Sequence, residues 1–565
     1  MQCRRALDHR HRGVACMQRT HSPETAPLPE AAATVVLATS VAACGGDGST
    51  SSKPSSGSVA ASGVTAISKQ DAARFLAQAT NGTDYATIED VSKSGVESWL
   101  NAQFALGRER SYWDWLENNG FADDSRPFAL ADWEIALWHG LLHDGDTLRQ
   151  RVTLALLDIF VVGIGTLHPG WRSFSMANYL DILADHSFGN FRELIEAITF
   201  STAMGDWLTY TGSKKADARG SLPDENYARE LMQLFTLGLH RLNADGTHQL
   251  GPDGSQIPAY TQADVSELAR VFTGFVPIET DFRQRGRNRE RLVIDPTFND
   301  TRDKVVLGQT ISGGGEQAVS QALDILFNHP NVGPFISKQL ILRLVTSNPS
   351  PAYVQRVARV FSNNGQGERG DLRAIVKAVL LDREARQEPT SQSGKLRDPA
   401  QRLLNWARAF DVKPAAENLV GPYLHGTLLK SPGWSPTVFN FFDAEYSPPL
   451  SDVEAQGLAA PGFQIASEQT VVEYINFINN ALQGFWASRG LDPSFDNYIE
   501  VAKEPTALVE RLNIVLAAGQ ISPNIANEIA VQAQFIAADD RKGLEDRVKL
   551  ATLMILASPD FLVVA

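Results

Sequence analysis

From Ser68 onward, apolar residues return at three- and four-residue spacing in one segment after another, and that period commits the chain to packed helices. After Asp146, which can cap a helix, Leu148, Val152, Ala155, Leu156, Ile159 and Phe160 fall on one helical face. Thr261-Gln262-Ala263-Asp264 reads as a capping box, in which a hydroxyl and a carboxylate satisfy each other's orphan backbone N–H groups. Val265, Leu268, Ala269 and Phe272 follow on one face, and Gly274 is the stop. Asp371 opens a further helix, with Leu372, Ile375, Val376, Val379 and Leu380 together. Asp398-Pro399 sets a capping carboxylate before a proline whose missing N–H costs nothing at the first helical position. The predicted fold is mainly α, a large multi-helix globular bundle. One small β-hairpin excursion is expected near residues 239–260, where Asp245-Gly246 and Asp253-Gly254 punctuate short segments.

Packing alone must hold such a bundle. Cys3, Cys16 and Cys44 are the only cysteines, so the 521 residues after Cys44 have no disulfide, no Cys-zinc site and no thiol nucleophile. The formal charge is −14, and without residues 1–44 it falls to about −16, which repels phosphate backbones and argues against nucleic-acid binding.

Residues 31–44 are a short apolar run, too short to span a bilayer, that ends in small residues and one cysteine. Val41-Ala42-Ala43-Cys44 resembles the lipobox of bacterial lipoproteins, in which the cysteine thiol is acylated after cleavage before it. The segment that follows, 45–67, is largely glycine and serine and reads as a flexible tether. The expectation is an exported protein with a leader over 1–44, held to a membrane by a lipid on Cys44. Gly45 after the cysteine favours the outer membrane where there are two. The plainer alternative is an ordinary signal peptide cut after Ala43. Glu24 and Glu30 stand where a basic region is usual. The apolar stretch from Val152 to Gly165 is interrupted by Asp158 and is expected to be a core helix.

Within 68–563 an ordered set of motifs carries a family resemblance. It runs from Ala72-Ala73-Arg74-Phe75-Leu76 through Leu148-Arg149-Gln150-Arg151-Val152 to Phe160-Val161-Val162. The strongest motif is Pro223-Asp224-Glu225-Asn226-Tyr227-Ala228-Arg229-Glu230-Leu231-Met232-Gln233-Leu234-Phe235. Tyr260-Thr261-Gln262-Ala263-Asp264, Lys304-Val305-Val306-Leu307-Gly308 and Val438-Phe439-Asn440-Phe441-Phe442 complete it. Together these resemble the bacterial domain of unknown function 1800. The resemblance implies a helix-rich, exported protein with no agreed activity, often encoded beside an exported sulfatase-like protein that is a candidate partner. Other branches of that family carry histidines where this chain has Leu157-Asp158-Ile159, Phe235 and Asn299-Asp300. A histidine-based metal site is therefore not expected, and neither a metal nor a cofactor is assigned.

Two constellations remain. Glu225, Arg229 and Glu230 place two carboxylates and a guanidinium near one another on a helix, either as acid–base groups or as a structural ion network. Between Ser431 and Gly462 prolines and aromatics crowd into an expected long ordered loop, where Trp434, Phe439, Phe442 and Tyr446 can stack on sugar rings or polymer segments, or plug the loop into the core. His139 and His143 lie one turn apart, without the glutamate a metalloprotease helix needs. Gly313-Gly314-Gly315 lacks the lysine ending of a phosphate loop. The stretch 276–315, rich in Arg, Asp and Gly, is a candidate internal boundary. The expected function is binding of a partner protein or envelope polymer, and the alternative is an extracellular hydrolase or lyase acting through Glu225, Arg229 and Glu230.

Overall fold

The computed structural model describes residues 66–390, 392–412 and 430–564. The leader over 1–44 with Cys44, and the tether up to residue 65, lie outside the described residues. The body begins earlier than the end of the expected tether, because the Ile67 N–H already donates to the Ser92 carbonyl at 2.9 Å.

Helix starts follow the caps. Helix α1 (Lys69–Ala79) opens on Ser68, whose hydroxyl accepts from the Asp71 N–H at 3.0 Å. Helix α2 spans Asp132–His143 and α3 spans Thr147–Ile159. Asp146 precedes α3 without capping its backbone; its carboxylate accepts instead from the Gln150 side chain at 3.0 Å. Helix α4 (Asn226–Gln233) buries Tyr227, Ala228, Leu231 and Met232. Helix α5 (Gln262–Val271) carries the capping box of Thr261 and Asp264 and ends before Gly274, whose φ of 84° suits a residue without a side chain. Helix α6 spans Val332–Leu344, and α7 (Pro399–Ala409) starts with Asp398 accepting from the Ala400 N–H at 2.9 Å.

The strands are short. Phe275–Val276 (β1) pairs with Val293–Ile294 (β2), Lys304–Val306 (β3) with Gln309–Ile311 (β4), and Lys395–Leu396 (β5) with Val563–Val564 (β6), all antiparallel. The excursion at 239–260 is a hairpin-like ladder, bridged at His240–Pro258, Leu242–His248 and Leu250–Gln256. Residues 276–315 sit within the compact unit 63–565. There the Asp264 and Glu267 carboxylates of α5 accept from the Leu307 and Val305 N–H groups.

Three helix ends meet in the interior. Arg151, on α3, donates to the Gln78 carbonyl in the last turn of α1 at 3.2 Å and to the Arg343 carbonyl in the last turn of α6 at 2.6 Å. Arg343 in turn donates to the Asp158 carbonyl in the last turn of α3 at 3.1 Å. Last-turn carbonyls have no partner within their own helix and carry partial negative charge, so cationic side chains are the natural groups to join them. Asp158 thus closes α3, and the apolar run beyond it leaves the helix as buried Phe160, Val161 and Val162. Among the described residues no helix is long and apolar enough to cross a membrane.

Candidate functional site

Where those helix ends meet, the surface opens into a cleft of about 1650 Å³. Its walls come from the last turns of α3 and α6, strand β5, the first turn of α7, the segment around 430–447 and the ladder near 239–256. No two of these pieces are neighbours in the sequence except β5 and α7.

The floor is ionic. Lys430 is 3% exposed and its ammonium lies between two carboxylates, 3.2 Å from Asp158 and in close contact with Asp398. Burial works against that ammonium, but Asp158 and Asp398 outweigh it and hold the Lys430 pKa above the ordinary lysine value. Burial likewise opposes ionisation of Asp158; Lys430, Arg343 and the Asn440 amide, at 2.9 Å, overcome it and hold its pKa below the ordinary value. The Lys430 ammonium also stands 4.9 Å from the Phe442 ring centre, a cation–π contact. Beside this group, Lys395 donates to the Arg343 carbonyl at 2.6 Å. Burial first, and then the neighbouring Arg151, push the Lys395 pKa well below the ordinary value.

The aromatic segment divides. Phe439 and Phe442 line the cleft, and Phe439 is 58% exposed at its rim. Phe463, 44% exposed, joins them from further along the chain. Trp434 and Tyr446 lie outside the lining. Trp434 and Ser431 instead face the carboxyl of Glu134 on α2, which is fully buried; the Ser431 hydroxyl donates to it at 3.1 Å. Burial raises the Glu134 pKa to about 7, offset only in part by Trp434 and Ser431. The loop is therefore plugged into the core at its start and presents ring faces farther along.

Glu225, Arg229 and Glu230 do not enter the cleft lining, although Gln233 and Leu234 at the end of the same motif do. One Glu225 oxygen accepts from Ser266 at 2.6 Å, and the other from Arg229 at 2.8 Å and Gln262 at 2.9 Å. The Ser266 bond, then Gln262 and Arg229, keep its pKa below the ordinary value despite some burial. Glu230 is 9% exposed, and burial raises its pKa against the pull of Arg229. Arg229 thus pairs with Glu225 as an ordinary one-turn ion pair. The glycines at 313–315 meet side chains of their own fold, with the Gly315 N–H donating to Asn299 at 2.8 Å. Among the described residues no group of three or more His, Asp or Glu is arranged to hold a metal ion.

Phe439 and Phe442 are marked in the sequence by their crowding among prolines, whereas Lys395 and Lys430 carry no comparable local mark. The one local signal was Asp158, a charge inside an apolar helical run, which has to find a partner somewhere.

A family model described as "Protein of unknown function (DUF1800)" matches residues 74–563. No curated protein and no solved structure matches the chain.

Proposed function

The chain belongs to the DUF1800 family, and for this member we propose a binding function in the cell envelope, in which the cleft takes several units of an extended saccharide polymer. The size of the cleft carries the reading. About 1650 Å³ exceeds the roughly 300–1,000 Å³ of small-molecule sites, whereas a chain of linked units occupies such a space naturally. Its rim supports the same reading: Phe439 and Phe463 offer exposed ring faces, and Gln233, Gln256 and Gln464 line the walls with amides suited to hydroxyl groups. Export and a lipid on Cys44 belong to this proposal, since they would hold the cleft where such polymers are met. The hydrolase or lyase reading through Glu225, Arg229 and Glu230 draws no support from the cleft, whose lining these residues do not enter.

The test is affinity electrophoresis of the full chain through gels loaded with acidic or neutral polysaccharide. Retardation is expected on at least one polymer, and Phe439→Ala together with Phe463→Ala should abolish it. A chain that runs freely in every gel refutes the reading. Metabolic labelling with a palmitate analogue checks the anchor: Cys44→Ala should lose the label and move to the soluble fraction.

A second reading, docking of a partner protein such as the exported sulfatase-like one that the family implies, is favoured by Leu239 and Val471. Both are exposed in the same lining. Stoichiometric recovery of one envelope protein on the immobilised chain, lost in Leu239→Ser, would select it.

A further inference from the structure

Lys395 Nζ and an Arg151 guanidinium nitrogen donate to the same oxygen, the Arg343 carbonyl, each at 2.6 Å. Two cationic groups are therefore held at most about 5 Å apart, the sum of those two bonds, at the edge of an open cleft. Like charges repel strongly at that range in a poorly hydrated site. Such a pair persists only if something nearby is negative.

The carboxylates do not suffice. Among the described residues, the carboxylates that act on Arg151, Arg343, Lys395 and Lys430 are Asp158 and Asp398, and both of these are engaged by Lys430. The ends of α1, α3 and α6 each add about half a negative charge, and the start of α7 behind Asp398 takes about half a charge back. Among these groups about one positive charge is left over. The floor can lose it in two ways: Lys395 gives up its proton, or an anion enters. Lys395 is also the donor with capacity to spare, because a lysine ammonium has three N–H bonds and Nζ has one acceptor among the described residues.

We infer that the floor of the cleft, between Lys395, Arg151 and Lys430, receives one singly charged oxyanion of the bound chain, the carboxylate or sulfate ester of an acidic polysaccharide. The inference rests on the cleft being a polymer site and adds the chemical class of the polymer. The anion supplies the missing counter-charge, so Lys395 takes up a proton as it binds. Arg151 and the protonated Lys395 then share the oxyanion, which neutralises the charge they carry together. Phe439 at the rim acts on the sugar ring and is indifferent to the anion.

The experiment is calorimetric titration of the full chain at pH 7.5, in two buffers of different ionisation enthalpy. The probes are an oligogalacturonate, its methyl ester and a sulfated galactan oligomer. The acid is expected to bind at least tenfold more tightly than the ester, with net proton uptake. Lys395→Met should abolish both the preference and the uptake, while Phe439→Ala weakens acid and ester alike and leaves their ratio unchanged. Tighter binding of the sulfated oligomer assigns the anion to a sulfate ester within the same site. Equal affinity for acid and ester in the unmodified chain overturns the anion site and leaves the polymer cleft standing. A preference that survives Lys395→Met without proton uptake overturns it as well. An acidic peptide binding as tightly as oligogalacturonate overturns the saccharide assignment, and no binding by any probe overturns both inferences.

Discussion

Replacing Glu134 by glutamine removes an ionisable group from beneath the segment that leads into the cleft, and changes little in shape. Its carboxyl is fully buried, accepts from Ser431, and has its pKa raised from an ordinary 4.5 to about 7, chiefly by burial. Between those values the unfolded chain has lost its proton and the folded one has kept it. Stability from this group is therefore fully present below pH 4.5 and drains away as pH rises toward 7, after which it is level. From pH 5 to pH 8 the loss comes to about 2.5 kcal/mol, taking about 1.4 kcal/mol per tenfold change in proton activity. Glutamine keeps an acceptor for Ser431 and has no proton to lose, so Glu134→Gln is exempt from that loss. For a unit of about 500 residues, an unfolding entropy of about 2 cal/mol/K per residue turns 2.5 kcal/mol into roughly 2 °C of Tm. Thermal unfolding of both proteins at pH 5 and pH 8 should show the variant gaining about 2 °C on the parent at the higher pH. Every other titrating group is common to the two and cancels. Melting curves whose separation is the same at both pH values would refute the reasoning, since Glu134 would then ionise as freely folded as unfolded.

Lys430→Met leaves Asp158 and Asp398 facing each other without their shared cation and should cost about 2–4 kcal/mol in urea unfolding. Adding Asp398→Asn, which keeps the helix cap and removes one charge, should restore part of that loss. Gly433→Ala should lower Tm by several degrees, because the new methyl would overlap the Trp133 ring and the Met176 methyl at a backbone φ of 73°. Thr261→Ala removes half of the capping box of α5, at about 1 kcal/mol, and should appear as faster amide hydrogen exchange at Asp264.

Much of this molecule was legible in its sequence, because helices, caps and turns are decided by residues a few positions apart. The spacing of apolar residues after Asp146 placed α3, Thr261 and Asp264 started α5, and Asp398-Pro399 started α7, all from contacts within one helical turn. The paired Asp-Gly turns likewise marked the ladder at 239–260. Phe439 and Phe442 were legible as candidates because aromatics between stiffening prolines must either pack or face a ligand. Which of them does which was settled by Glu134, nearly three hundred residues earlier, which engages Trp434 and Ser431 in the core.

The cleft floor belongs wholly to the tertiary structure. Asp158, Arg343, Lys395 and Lys430 follow no common period, and three helix ends bring them together only after α1, α3 and α6 have packed. In the sequence Lys395 and Lys430 are two lysines among ordinary surface charges. Burial, the carbonyl oxygen that Lys395 shares with Arg151, and the two carboxylates that Lys430 engages set them apart from those charges, and none of these three conditions is local to the chain.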